Sequence, residues 1–378
     1  MRVIKAVSGL RRWVLILATA GALLAAACRP APASAPTPAP PPALTPIPTA
    51  TLTPALTPTP ALTATLQELY QYAFGLINRD RQEAGLAPVT LGSNPAAQSH
   101  AEEEMAKGYI SHWGMDGMKP YMRYTLAGGF NYEAENLSGP AILVTGVNYA
   151  ASSPRELLDE AETGLMESPG HRANILDKWH KKVNLGIAYN EYTLALVQQF
   201  EGDYIRFTQL PTLEGGVLSM SGETLQGFAI GRNALQIWHD PSPHPLTLGQ
   251  LGKTDTYDLG EPVAFVRPPP PPGNYYPPSA ETYTWETQGA DPYDVPPDTP
   301  PPTPALLETE PEYPTVARFW TVQWVEAKRW DASGSSFSIE VDMSPILAKS
   351  GKGVYTVYFW AQKDGESVSL TNYSVFFI

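Results

Sequence analysis

Proline partitions this chain. Twelve of its 40 prolines fall within residues 29–63 and fourteen within 268–304. Proline removes a backbone donor and fixes φ, so neither stretch suits the interior of a helix or a central strand. Residues 29–63 are mostly Pro, Ala and Thr with Arg29 as their single charge. They have no hydrophobic face to bury, which predicts an extended tether reaching roughly 100 Å at about 3.1 Å per residue. The second cluster, 268–304, reads as a long surface loop or a second linker. The organisation expected is a signal segment over 1–28, a Pro/Ala/Thr-rich linker over 29–64, and globular domains over 65–207 and 208–378, the latter carrying the 268–304 loop.

The first segment has four positive charges (Arg2, Lys5, Arg11, Arg12), no acid, an apolar run from Trp13 to Leu24, and then Ala25-Ala26-Ala27. This is the layout of an export signal, and the run is short for a membrane span. Cys28, the only cysteine, follows directly. Leu24-Ala25-Ala26-Ala27-Cys28 resembles a bacterial lipoprotein processing site, with Ala25 where a larger aliphatic residue is usual. The resemblance implies lipidation of Cys28 and an extracellular chain anchored to the cell membrane. The formal net charge is −13. Without the first 28 residues, 21 basic residues stand against 38 acidic ones, a poor surface for nucleic acid. A monomer is expected.

Thr65-Leu66-Gln67-Glu68 is a capping box, and Leu66, Leu69, Tyr70, Ala73 and Ile77 follow at helical spacing until Gly85. Asn94-Pro95 starts a second helix that Gly108 ends, and Ser153-Pro154-Arg155-Glu156 starts a third. Asn184–Tyr189 and Thr193–Phe200 alternate as strands do, so residues 65–207 read as an α/β layered domain. Beyond Tyr204 the texture turns to short alternating runs. Phe228–Ile230, Leu235–Trp238, Phe319–Val325, Phe337–Val341 and Val354–Trp360 predict a mainly-β, sandwich-like domain.

Between His112 and His171, His and Glu recur beside Gly, Pro and Asn, which allow tight turns that bring distant side chains together. Two imidazoles and a carboxylate suffice for a metal site or for acid–base work. Leu76-Ile77-Asn78-Arg79, Ser111-His112, Ala134-Glu135-Asn136, Ser168-Pro169-Gly170-His171-Arg172-Ala173-Asn174-Ile175-Leu176 and Gln198-Gln199-Phe200 together resemble the CAP superfamily of cysteine-rich secretory, antigen 5 and pathogenesis-related proteins. The resemblance covers residues 65–207 and implies an α-β-α sandwich with a central cleft. It also implies that His112, Glu135 and His171 line that cleft, as catalytic residues or as ligands of a divalent metal, zinc first. A second cleft Glu, expected three residues after a Trp in the third helix, is missing: Leu165 and Ser168 hold those positions. Glu162, at the rim of the Leu158/Ala161/Leu165 face, is the only stand-in, since Glu160 points away. His100, Trp113 and Tyr121 are expected to pack. Asn136 and Asn372 match glycosylation acceptors by chance.

Three functions compete. The first is an envelope-anchored lipoprotein whose cleft binds a divalent metal or a small apolar ligand. A metal- or His/Glu-dependent hydrolase acting on peptides is the second, and an adhesion or scaffold protein acting through its β-domain is the third. The sequence leans away from an enzyme. No His-Glu-x-x-His, Gly-x-Ser-x-Gly or cysteine nucleophile is present.

Overall fold

Thr65 caps the first helix as expected. Its Oγ1 accepts from Glu68 N, and the Glu68 carboxylate accepts from Thr65 N at 2.7 Å. A computed structural model describes residues 65–139, 153–190, 193–254, 256–288, 291–301 and 315–378. The signal segment, Cys28 and the 29–64 linker lie outside the described residues.

The helices of the layered domain are α1 (Leu66–Glu83), α2 (Ala96–Lys107), α3 (Pro120–Leu126), α4 (Pro154–Glu167) and α5 (Pro169–Ile175). Each stop or start has a local cause: Gly108 ends α2 in the left-handed region at φ 70°, and Ser153 caps α4 with Glu156. Strands β1 (Thr90–Leu91), β2 (Glu133–Ser138), β3 (Lys182–Tyr189) and β4 (Leu194–Glu201) form one sheet in the order β1-β3-β4-β2. Its two faces are covered differently. Leu69, Ala73 and Ile77 of α1, Leu158 and Leu165 of α4, and Ile175 of α5 pack on Val183, Leu185, Leu196 and Phe200. Ala97 and Ala101 of α2 pack on Leu137, Ala195 and Val197 from the opposite side. The result is the expected α-β-α sandwich. At Gly186 a Cβ would lie 2.0 Å from Ala97 O, so only glycine lets α2 approach β3 this closely.

The remaining strands build two sheets. One has six strands in the order β14-β13-β7-β8-β10-β9 and the other four in the order β11-β12-β6-β5. They are β5 (Ile205–Glu214), β6 (Val217–Thr224), β7 (Leu235–Asp240), β8 (Glu261–Arg267), β9 (Ala280–Gln288), β10 (Thr315–Glu326), β11 (Arg329–Ser333), β12 (Ser336–Asp342), β13 (Gly353–Lys363) and β14 (Glu366–Phe377). Leu218, Met220, Phe337 and Ile339 of the four-stranded sheet share a core with Ile237, Ala264, Tyr355, Val357 and Phe359 of the six-stranded one. This is sheet-on-sheet packing with alternating inward residues.

Two sequence expectations are corrected. The 268–304 segment is not all loop: its proline-free stretch forms β9, which pairs antiparallel with β10 at the sheet edge. Prolines flank this strand without interrupting it, so their density concealed an edge position where the ladder bonds on one side only. Phe228–Ile230 forms no strand, only an isolated bridge between Ala229 and Gln362.

Layered domain and β-sandwich belong to one compact unit. Their contact centres on Lys119, whose Nζ lies 2.6 Å from both Asp240 Oδ1 and Asp258 Oδ1, with all three side chains buried. Tyr121 donates to Asp240 Oδ2 at 2.7 Å, and Tyr121, Met122 and Val354 form an apolar patch beside it. Burial alone would pull the lysine's pKa down, and the two aspartates outweigh it, holding the ammonium charged.

Candidate functional site

The site straddles the free edge of β2, and strand alternation explains how. Glu135 and Asn136 are neighbours, so their side chains leave opposite faces of the sheet. Their partners in β4, Gln199 and Gln198, do the same. One face therefore collects Glu135 and Gln199 under α2 and α3. The other collects Asn136 and Gln198 under α4 and α5.

On the first face the Glu135 carboxylate is fully engaged. Oε1 lies 3.0 Å from His112 Nδ1, Gln199 Nε2 donates to Oε2 at 2.9 Å, and Arg123 Nη2 donates to both oxygens at 3.3 and 3.2 Å. Burial pushes the Glu135 pKa up, but Arg123 and the His112 bond outweigh it and hold the group ionised. Arg123 also donates to His112 O at 3.0 Å. His100 and Glu104 of α2 pin the preceding residue: His100 Nε2 bonds Ser111 O at 2.8 Å, and Ser111 N donates to Glu104 Oε1 at 3.1 Å. His100 packs, as expected, and in doing so fixes the loop that carries His112.

On the second face Asn136 Nδ2 donates to His171 O at 3.0 Å and to Gln198 Oε1 at 3.2 Å, while Asn174 Nδ2 donates to Asn136 Oδ1. His171 sits in the first turn of α5, and its ring reaches around the β2 edge to 6.4 Å from that of His112, centroid to centroid. Burial, then the charge of His112, lowers its pKa to about 4. His171 is therefore a neutral imidazole at physiological pH.

The β-sandwich closes the edge of β2. Tyr257 OH accepts from Glu135 N at 3.4 Å, Asn372 Oδ1 accepts from Glu133 N at 3.1 Å, and Asn372 Nδ2 donates to Glu133 O at 2.9 Å. A buried strand edge needs such partners. The Tyr257 ring also lies 5.0 Å from the His112 ring and walls that side of the cleft. Asn136 and Asn372 are both buried with their amides engaged, in keeping with chance matches to a glycosylation acceptor.

The structure thus brings His112, Glu135 and His171 together. Glu162 is buried, as its helical angle implied, but it belongs to another network. Its Oε2 accepts from Gln198 Nε2 at 2.6 Å, and Asp80 faces its carboxyl within hydrogen-bond reach. Burial first, then the Asp80 charge, raises its pKa to about 8. It reaches His171 only through Gln198 and Asn136. Arg123, Gln199 and Tyr257 are site residues that sequence reasoning missed. Gln199 lay within the quoted strand motif, whereas Tyr257 stands 122 residues from Glu135 with no local signal. Glu133 was missed too: neither of its oxygens has a partner among the described residues, and burial raises its pKa well above the usual range.

The donor set does not fit a retained zinc ion. Catalytic zinc needs three protein ligands and an open position. Here Glu135 is committed to His112, Gln199 and a cationic guanidinium that would repel a dication, so it can orient His112 but not coordinate metal. Two imidazole edges remain, and among the described residues no three His, Cys, Asp or Glu side chains converge on one point.

Comparison with known proteins finds similarity over one region. The family model described as the cysteine-rich secretory protein family, CAP, matches residues 74–200. Among solved structures, an extracellular protein containing a SCP domain from Bacillus anthracis is similar at 20% identity over 37% of this chain and 44% of that one, TM-score 0.29. An outer surface protein from Borrelia burgdorferi is similar at 16% identity over 37% of this chain and 96% of that one, TM-score 0.28. No curated protein matches the chain. Among the described residues no helix is long and apolar enough to cross a membrane. Residues 74–200, which hold the His112, Glu135 and His171 cleft, are a domain of the cysteine-rich secretory protein (CAP) family, set in a chain whose other parts the family model does not reach.

Proposed function

We propose that this chain is a binding protein displayed outside the cell, whose CAP cleft receives a small, largely apolar ligand against two imidazole edges. The observation that carries this reading is the commitment of Glu135 to Arg123 and Gln199. It leaves the His112 and His171 rings as the hydrogen-bonding groups of the cleft, without a carboxylate free to complete a metal donor set. Titration of the full chain with zinc, and with a panel of lipid alcohols and short peptides, is the test. Ligand binding is expected to be lost in His171→Ala, which removes an imidazole that stays neutral from about pH 5 to 8 because burial lowers its pKa to about 4. Near-stoichiometric zinc binding that disappears in both His112→Ala and His171→Ala would overturn the reading in favour of a metal centre.

A hydrolase reading draws on one observation, the Glu135–His112 pair, which has the form of an oriented general base. Two facts weigh against it. Arg123 neutralises the carboxylate, and among the described residues no hydroxyl or thiol is bonded to either imidazole.

Display rests on Cys28. The cysteine follows an apolar run and precedes a proline tether, so lipidation would hold the cleft away from the membrane. Intact mass and membrane fractionation are expected to show a lipid on the wild type that Cys28→Ser lacks. An unmodified wild-type mass rejects this part of the proposal.

A further inference from the structure

We propose a second binding site, on the β-sandwich, for a sugar bearing a carboxylate. A cavity of about 400 Å³ lies where Arg232 and Asn233 precede β7, where Arg267 ends β8, and where Pro268 and Tyr276 of the proline-rich segment approach Trp324 of β10. No residue of the CAP cleft contributes to it.

The arginines are held in place before any ligand arrives. The Arg267 guanidinium lies 4.0 Å over the Tyr276 ring, and Arg232 Nη2 donates to the Tyr276 hydroxyl at 2.9 Å. One tyrosine thus positions two cations, which lowers the entropy lost on binding. Their hydrogen-bonding capacity is largely unused. Arg267 Nη1 donates to Ser279 Oγ at 3.3 Å, and Nη2 meets the half-exposed Glu326 only at 3.8 Å, a weak surface pair. Arg267 Nε is buried with no partner among the described residues. A planar guanidinium with spare donors matches a carboxylate, which can take two parallel bonds.

The aromatic wall selects what carries that carboxylate. Trp324 is partly exposed, and its ring is fixed because Nε1 donates to Glu281 Oε1 at 3.1 Å and Phe265 packs 5.5 Å behind it. A fixed ring face beside a carboxylate clamp suits a pyranose, whose C–H face packs on an aromatic while its hydroxyls bond groups such as the Asn233 amide. The volume is within the range of small-ligand pockets. A long polyanion fits poorly, because the chain carries a net charge of −13 that repels it beyond the pocket.

The test compares cellobiouronate with cellobiose, which differ by one carboxylate, using ligand-observed NMR and calorimetric titration on the full chain. Wild type is expected to bind cellobiouronate about tenfold or more tightly than cellobiose at low salt, as a charge-assisted bidentate pair would give. Arg232→Gln, an exposed position, should abolish the preference without shifting Tm, and Trp324→Ala should weaken both sugars. His171→Ala should bind them as wild type does. Failure to bind either sugar, equal affinity for both, or a preference that survives Arg232→Gln overturns the proposal. Tighter binding of inorganic phosphate than of cellobiouronate also overturns it, assigning the arginines to a simple anion.

Discussion

Replacing Lys119 by alanine is expected to lower unfolding free energy by about 3–5 kcal/mol, the cost of leaving buried charge uncompensated. The lysine enters from the first turn before α3 and neutralises Asp240 and Asp258 at 2.6 Å each, and all three groups are almost completely buried. Without it two carboxylates face each other in a site from which water is excluded. Arg318, whose Nη1 is 3.7 Å from Asp258 Oδ2, cannot replace it because it serves Asp291 and Asp294 as well. The interaction lies between the CAP domain and the sandwich, so the loss should appear in the unfolding of the whole unit. Urea denaturation of the full chain measures it. A triple variant, Lys119→Met with Asp240→Asn and Asp258→Asn, should recover most of the loss, since removing all the charges together leaves none unpaired. A Lys119→Ala cost below about 1 kcal/mol, the size of an exposed pair, would show that the clamp does not hold the two parts together.

Glu162→Gln is expected to stabilise the protein at high pH and to leave it unchanged at low pH. The native pKa of Glu162 is about 8 against an ordinary 4.5, raised by burial and by Asp80. A carboxyl whose pKa is raised on folding contributes fully below its unfolded pKa. That contribution is lost as pH climbs from about 4.5 through about 8, where the native state must give up the proton. Glutamine keeps the acceptor for Gln198 Nε2 and adds an N–H aimed at Asp80 Oδ2, which lacks a partner among the described residues. The variant should therefore match wild type near pH 4 and exceed it by roughly 1–3 kcal/mol at pH 8–9. Glu135 titrates in the opposite sense. Its pKa is depressed, so its contribution is lost as pH falls, and the difference between variant and wild type is the informative quantity rather than either profile alone. A variant-minus-wild-type difference that stays constant from pH 4 to 9 would mean that Glu162 does not carry the raised pKa.

Much of this architecture was legible in the residues. The capping boxes at Thr65 and Ser153, the Asn94-Pro95 start and the Gly108 stop each act within one turn of backbone, so four residues suffice to specify them. The strands β3, β4, β7, β12 and β13 announce themselves by alternation for the same reason. His112, Glu135 and His171 were identifiable because each lies in a short motif whose order along the chain is itself a signal. The helical angle that turned Glu162 inward was also local information. It placed Glu162 at the rim of the Leu158/Ala161/Leu165 face, where the structure buries it, and said nothing about which neighbour the carboxyl would meet.

What only the tertiary structure decided are the partners. A charged residue's role depends on what surrounds it, and the surroundings of Glu135 come from α3, β4 and a loop of the sandwich far along the chain. Arg123 ion-pairs with Glu135 beside its bond to His112, and no periodicity encodes a contact between separate elements. Tyr257 and Asn372 satisfy the β2 edge across separations of 122 and 239 residues. The strand β2 itself was not read from the sequence, where Ala134-Glu135-Asn136 stood only as a motif, and which groups cover its unpaired side depends on how the sandwich docks. The sequence by itself determined the capped helices and the alternating strands, because these follow from backbone propensity and hydrophobic spacing, and the cleft histidines were placed by the motifs that carry the family resemblance. Packing between distant elements determined the charge state of the cleft and the wall that closes it, because electrostatics and desolvation act through space and not along the chain.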